Sequence, residues 1–326
     1  MGTNQLPSAE RPARLVPYYR PLCFFWFLRP LFGQAKGSSP YSRIHYLIIN
    51  CQSHLCKILS KLPKKYNFLR AYISTHTLFF YQMPLTSTCP IEPCERTQGL
   101  IIELLRALHH PYIYPVLDLE ICNGHALAVV PFNSKGSLKD LLYKSTWSEE
   151  YLKKYNSVGS GLPASQVARF GRQILEGLLF LKDKGFPTFR HLHSGNVIIQ
   201  NGVARICGLE NTLIGAPPKF RYANSVPLEH VEALSLGYVM FEMCAATDTD
   251  ISILPDFQAN YPQVVEILEM IFGPRTPSLH ELVMCELFRK IDLREMKGSC
   301  LPALLLMSYC LWPHSRQSNI NRTRRN

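Results

Sequence analysis

Between residues 163 and 184, Val167, Phe170, Ile174, Leu178 and Leu181 recur on one face. That spacing predicts a long amphipathic helix. Soon after it come two short apolar runs, 196–200 and 203–207, separated by Asn201-Gly202. Asn-Gly suits a tight hairpin because both residues tolerate positive φ. A helix with one apolar stripe needs a second layer to cover it, and the rest of the chain must supply that layer.

Upstream, Leu100, Ile101, Leu104, Leu105 and Leu108 predict a helix from Thr97 that ends before His109-His110-Pro111. Residues 113–120 and 126–132 read as strands joined by a turn at Asn123-Gly124. Gly136-Ser137-Leu138 opens a short helix through Tyr143, and the polar residues 144–161 read as a surface insertion. Helices over about 230–245, 261–272 and 277–291 follow. Weaker apolar stretches at 46–49 and 72–81 read as strands. Residues 1–40, rich in proline and aromatics, lack clear periodicity. The class is α+β with a mainly helical second half.

The net charge of +11 comes from 35 basic and 24 acidic residues, unevenly placed. Residues 1–91 carry eleven Lys and Arg against Glu10 alone, and the tail from His314 adds four arginines and no acid. Such ends attract anionic lipid or acidic partners. No nucleic-acid module accompanies the charge, which argues against nucleic acid. The eleven cysteines are an odd, scattered set that suits reduced thiols. Cys51/Cys56 and Cys89/Cys94 are spaced like paired metal ligands, but nothing completes a zinc signature, so no metal site is expected. The apolar runs 22–32 and 301–312 are too short to span a membrane. Residues 1–70 are acid-poor like a transit peptide, but Pro7, Pro12, Pro17 and Pro21 oppose an amphipathic helix there. Met1-Gly2 lacks the Ser or Thr that myristoylation needs at Leu6. These features point to a cytoplasmic protein, peripheral at membranes at most.

Five words stand at the joints of this pattern: His109-His110-Pro111-Tyr112-Ile113, Val130 to Leu138, Phe189-Arg190-His191-Leu192-His193-Ser194-Gly195-Asn196, Ser235 to Met243, and Pro277 to Leu282. In this order they resemble, respectively, the end of the small-lobe helix, the hinge, the catalytic loop, the central large-lobe helix and the closing helix of protein kinases. The resemblance covers 97–293. It implies a bilobal protein-kinase-like fold with a degenerate small lobe (44–133) and a mainly helical large lobe (134–297). A basic extension (1–43) and an apolar, then basic tail (298–326) flank it. His-Leu-His-x-x-Asn and Leu-Glu-Asn narrow the resemblance to the PX-domain-linked kinase-like and slowpoke-channel-binding proteins, a pseudokinase group.

Phosphoryl transfer is positioning plus charge neutralisation, so each part can be checked. By the resemblance, His191 stands at the catalytic base and Gly208 at the first metal-binding aspartate. Asn196 stands at the second metal ligand, and Ile101 at the small-lobe helix glutamate. Glu210 lies two positions past Gly208 and substitutes only if the backbone rearranges. Asn196 alone cannot hold magnesium; it is suited to capping the loop turn. No glycine occurs between Gly37 and Gly99 to build a phosphate-cradling loop, and the usual lysine strand is unrecognisable. Glu232 stands where an aspartate usually anchors the catalytic loop. The segment between it and Gly208 is short, with Val226-Pro227-Leu228-Glu229 a poor echo of Ala-Pro-Glu.

What remains is a weak adenine contact at Pro131 and Asn133, so ATP is expected to bind weakly or not at all. The expected function is that of a catalytically inactive scaffold or regulatory protein. The resemblance implies protein partners, in channel modulation or endosomal membrane traffic. The alternatives are a weak, unorthodox kinase using His191 or Glu210, and a peripheral membrane module using Arg20, Phe24, Phe25, Trp26 and Arg29.

Overall fold

Buried and half-exposed side chains alternate at the start of 125–131 and give way to a buried run, as in a strand covered first on one face and then on both. The computed structural model describes residues 57–61, 67–73 and 76–296, apart from 86, 88, 93, 123, 147–148, 150–153, 157–158, 221, 223–225 and 248–249. Strands β1 (Lys57–Lys61), β2 (Asn67–Ile73), β3 (His76–Pro84), β4 (Asp118–Cys122) and β5 (His125–Pro131) form an antiparallel sheet in the order β1-β2-β3-β5-β4. Helix α1 (Glu95–Ala107) packs beside β4, where the Gln98 side chain donates to the Leu119 carbonyl. Ile101, Leu119, Ala126, Ala128 and Val130 form the core of this part.

The second part is helical. Helix α2 (Leu138–Leu142) begins with a capping box in which Ser137 and Asp140 satisfy each other's backbone N–H groups. Helix α3 (Ala164–Asp183) buries the predicted stripe. It lies against the hairpin of β6 (Val197–Gln200) and β7 (Val203–Ile206). Asn201 and Gly202 both have positive φ, 54° and 74°, as the predicted tight turn demands. Helix α4 (Leu209–Leu213) follows. Helix α5 (Val231–Ala245) is buried on almost every side and forms the axis of this part. Helices α6 (Pro262–Phe272), α7 (Leu279–Met284) and α8 (Glu286–Arg289) complete it. Among the described residues, no helix is long and apolar enough to cross a membrane.

The link between the parts is short. The Tyr114 N–H donates to the Ile206 carbonyl at 2.7 Å, and the Ile206 N–H donates to the Tyr112 carbonyl at 2.8 Å. This pairing corrects the strand expected over 113–120. Residues 112–114 bond to β7, Pro115 has no N–H to give a ladder, and the strand proper starts at Asp118.

Two other expectations change. The stretch 72–81 is divided between β2 and β3, which pair Tyr72 with Thr77. The helix over 277–291 breaks at Cys285, whose ψ of 145° is extended. An unbroken helix would set Met284 and Phe288 on one face, yet Met284 is 69% exposed and Phe288 fully buried; the break turns Phe288 inward. The insertion 144–161 is also tied down. Lys154 pairs with buried Asp140 at 2.6 Å, the Tyr155 hydroxyl donates to the same carboxylate, and the Ser145 hydroxyl donates to the Lys154 carbonyl. The extension over 1–43, the stretch 46–49, the Cys51/Cys56 pair and the tail from 298 lie outside the described residues.

Gly177 lets α3 approach this junction. A Cβ there would sit 2.9 Å from Ile206 Cδ1 and 3.1 Å from the Tyr112 carbonyl oxygen. Gly177→Ala should therefore lower stability by about 1–3 kcal/mol through overpacking. The readout is a lower urea midpoint with an unchanged slope.

Candidate functional site

The loop from Phe189 to Asn196 leaves α3 and enters β6, and every turn of it is held by a hydrogen bond. Glu232, on the first turn of α5, accepts the Phe189 N–H at 2.8 Å. The Asn196 side chain donates to the His191 carbonyl at 2.9 Å, closing the loop on itself. His193 Nδ1 accepts the Gly195 N–H at 3.1 Å. The Asn196 carbonyl accepts from the Cys207 N–H at 2.9 Å, which joins the loop to the end of β7.

His191, Asn196, Gly208 and Glu210 therefore meet in one region. Gly208 precedes α4 with φ of 83°, a left-handed conformation that favours glycine. It is also crowded: a Cβ there would lie 2.8 Å from Asn196 Nδ2 and 3.0 Å from Asn211 Nδ2. The backbone shape disfavours most side chains here, and a Cβ would require the two asparagine amides to shift.

Glu210 lies almost wholly buried in the first turn of α4. Its carboxylate is paired with the Tyr81 hydroxyl of β3 and accepts from Asn211 Nδ2 at 3.3 Å. Oε2 has no partner among the described residues. Burial pushes this carboxyl above its ordinary range, and the Tyr81 hydroxyl opposes the shift. Burial likewise raises Glu232, against the pull of the Phe189 N–H.

Ile101 sits in the sheet core, while Glu103, two positions on, is exposed. Of the expected adenine contacts, Pro131 has its carbonyl engaged within the chain, and Asn133 has its side chain so engaged. The Pro131 carbonyl accepts the Tyr114 hydroxyl at 2.8 Å. The Asn133 side chain donates to the carbonyls of Gly136 and Ile199, at 2.8 and 3.1 Å. The short segment after α4 lies on α5. Phe220 stacks on Tyr238 at 5.7 Å, and the hydroxyls of Tyr222 and Ser235 share a hydrogen bond of 2.8 Å.

Cys89, Cys94, Cys207, Cys244 and Cys285 are free thiols. Among the described residues, no three His, Cys, Asp or Glu side chains are grouped to hold a metal ion. A groove of about 370 Å³ between Ala168, Tyr261, Val264, Leu287 and Ile291 shares no residue with the loop cluster.

Sequence reasoning missed Tyr81 and Tyr114. The signal available was chemical: a phenol in an apolar strand pattern must find an acceptor once buried.

No family model matches the chain. Slowpoke-binding protein of Drosophila melanogaster is 45% identical over 249 residues, which is 68% of this chain and 48% of that protein. PX domain-containing protein kinase-like protein of Mus musculus is 36% identical over 208 residues, 59% of this chain and 35% of its own length. Probable inactive serine/threonine-protein kinase slob1 of Dictyostelium discoideum is 31% identical over 231 residues, 61% of this chain and 39% of its own length. This chain is similar to these proteins over those stretches. It spans about half or less of the length of these relatives.

The chain keeps two histidines neutral inside it. Burial, reinforced by Arg190, lowers His191 to about 4; burial, reinforced by His109, does the same to His110, which stacks on Phe180 at 4.3 Å. Both values lie below the ordinary 6.5, so the unfolded chain takes up these protons first. The stability they carry is complete above pH 6.5 and is lost as pH falls towards 4. Allowing for partial solvent screening, it amounts to roughly 1–2 kcal/mol each. Glu210 and Glu232 act in the opposite sense, since their raised carboxyls favour the fold as pH falls. His110→Phe keeps the stack and should flatten the loss of stability between pH 6.5 and 4 by the share of one histidine. Urea unfolding at several pH values measures it.

Proposed function

We propose that this chain folds as a bilobal protein-kinase-like body that does not transfer phosphate and acts by binding a protein partner. The observation that carries this is Gly208. By the kinase resemblance it stands at the first metal-binding aspartate and offers no carboxylate; its left-handed backbone favours glycine, and the Asn196 side chain lies close to where a Cβ would stand. The neighbouring groups support the same reading. His191 has its ring buried and neutral, and Asn196 spends its amide on closing the loop. Glu210, the one nearby carboxylate that could substitute, is turned inward onto Tyr81. That inward turn argues against an unorthodox kinase built on Glu210.

The partner follows from the relatives. The Drosophila relative is named for binding Slowpoke, and we extend a partner of that kind, an ion channel, to this chain; membrane-traffic machinery is the second candidate. The basic stretches at both ends of the sequence would add attraction to acidic partners or anionic membrane surfaces.

Thermal unfolding with ATP and magnesium, with ATP and manganese, and with ATP alone tests the loss of chemistry. Ligand binding to the folded state must raise apparent stability. No metal-dependent shift at millimolar nucleotide is expected, and a clear one sinks the proposal. Gly208→Asp, which restores the carboxylate on paper, should lower stability by about 1–3 kcal/mol through backbone strain. It should give no magnesium-dependent gain.

A further inference from the structure

We infer that Tyr81 and Tyr114 form a built-in latch, in which two phenol hydroxyls fasten the five-stranded sheet to the β7–α4 segment and take the place of a nucleotide. The inference rests on the kinase-like reading, in which Pro131 is the residue whose carbonyl would face an adenine.

The Tyr114 main chain belongs to the junction, with its N–H on Ile206 of β7. Its hydroxyl reaches the other way, to the Pro131 carbonyl at the end of β5. Proline has no N–H, so this carbonyl is the only backbone hydrogen-bonding group at that position. A donor already sits on it, as the exocyclic amine of an adenine would. The ring lies in the sheet core with Val116, Ala128, Val130 and Ile214, only 3% exposed.

Tyr81 repeats the arrangement from the sheet side. It stands on β3 opposite Ala128 of β5, and its hydroxyl pairs with Glu210 of α4. Both phenols belong to the sheet core cluster, Tyr114 within it and Tyr81 packed against it beside Cys207, the residue between β7 and Gly208. One bond runs from the junction to the sheet and the other from the sheet to α4. Together they tie the sheet to the junction and to α4. Phenol hydroxyls enclosed in this way must keep their acceptors, because an unsatisfied buried donor is costly. Opening either contact therefore strains the other.

Hydrogen exchange of the full chain tests this with Tyr81→Phe, Tyr114→Phe and the double variant, each of which keeps its rings. Two segments report: residues 129–136 around Pro131, and residues 208–216, where the Asn211, Ile214 and Ala216 amides are bonded within α4 and its exit. Each single variant should speed exchange about fivefold, the scale of one hydrogen bond, in both segments. Acceleration confined to the variant's own segment, or no acceleration, overturns the latch. So does equal acceleration throughout α5 and α6, which would mark a general loss of stability. In the wild-type chain, millimolar adenosine should leave residues 129–136 unprotected. Protection there would show the Pro131 carbonyl open to a nucleobase and would also overturn the inference. Metal-dependent ATP binding by the wild-type chain would instead overturn the kinase-like reading of lost chemistry, whatever the exchange pattern of the tyrosine variants.

Discussion

Ile206 is the residue on which the two halves of the fold depend. Its N–H and C=O are both spent on the 112–114 segment, so the chain leaving α1 is stitched to β7 before it enters the sheet. Ile206 is itself fully buried in the larger core, and Gly177 of α3 lies within a methyl's reach of it. The small sheet thus inherits its position from a strand pairing only a few residues long. Short pairings are weak in isolation. This one holds because α3, the hairpin and the Tyr112 ring, which is fully buried and bonded through its hydroxyl to Glu295, all pack on it.

Around that junction the polar groups are used to hold backbone, not to meet substrate. Glu232 fixes the entry to the 189–196 loop, Asn196 closes it, and Asp140 caps α2 while tying Lys154 and Tyr155 to it. Each is buried or half-buried, so the cost of leaving its partners unsatisfied keeps the geometry fixed. A loop shape that in an enzyme would be kept for chemistry is maintained here by ordinary capping and hydrogen-bond demand. This explains how the loop around His191 keeps a defined shape.

The sequence made the periodic and the locally coded parts legible. The α3 stripe, the Asn201-Gly202 turn, the opening of α2 at Gly136-Ser137-Leu138 and the end of α1 all depend on neighbours in the chain. Three features depended on distant partners and were not legible. The strand expected from Ile113 failed because Tyr112 and Tyr114 found β7 instead. The helix after Ser278 broke because Phe288 had to turn into the core. The third is the pair of tyrosines, which look in the sequence like ordinary apolar positions of a strand and a loop. Their acceptors lie on other elements, Pro131 for Tyr114 and Glu210 for Tyr81. The region of His191, Asn196, Gly208 and Glu210 could be named in advance from the resemblance, but not what those residues touch.

Those contacts bear on how readily such a site could regain chemistry. A carboxylate at 208 would have to tolerate a left-handed backbone and displace the Asn196 amide, yet that amide is what holds the His191 carbonyl. Freeing Glu210 instead would leave the Tyr81 hydroxyl without its acceptor inside the sheet interface. Reorienting His191 would pull its buried ring into a loop whose ends are fixed by Glu232 and Asn196. Each repair breaks a bond that another position relies on. The residues form a coupled set, so their energetic effects should not add independently.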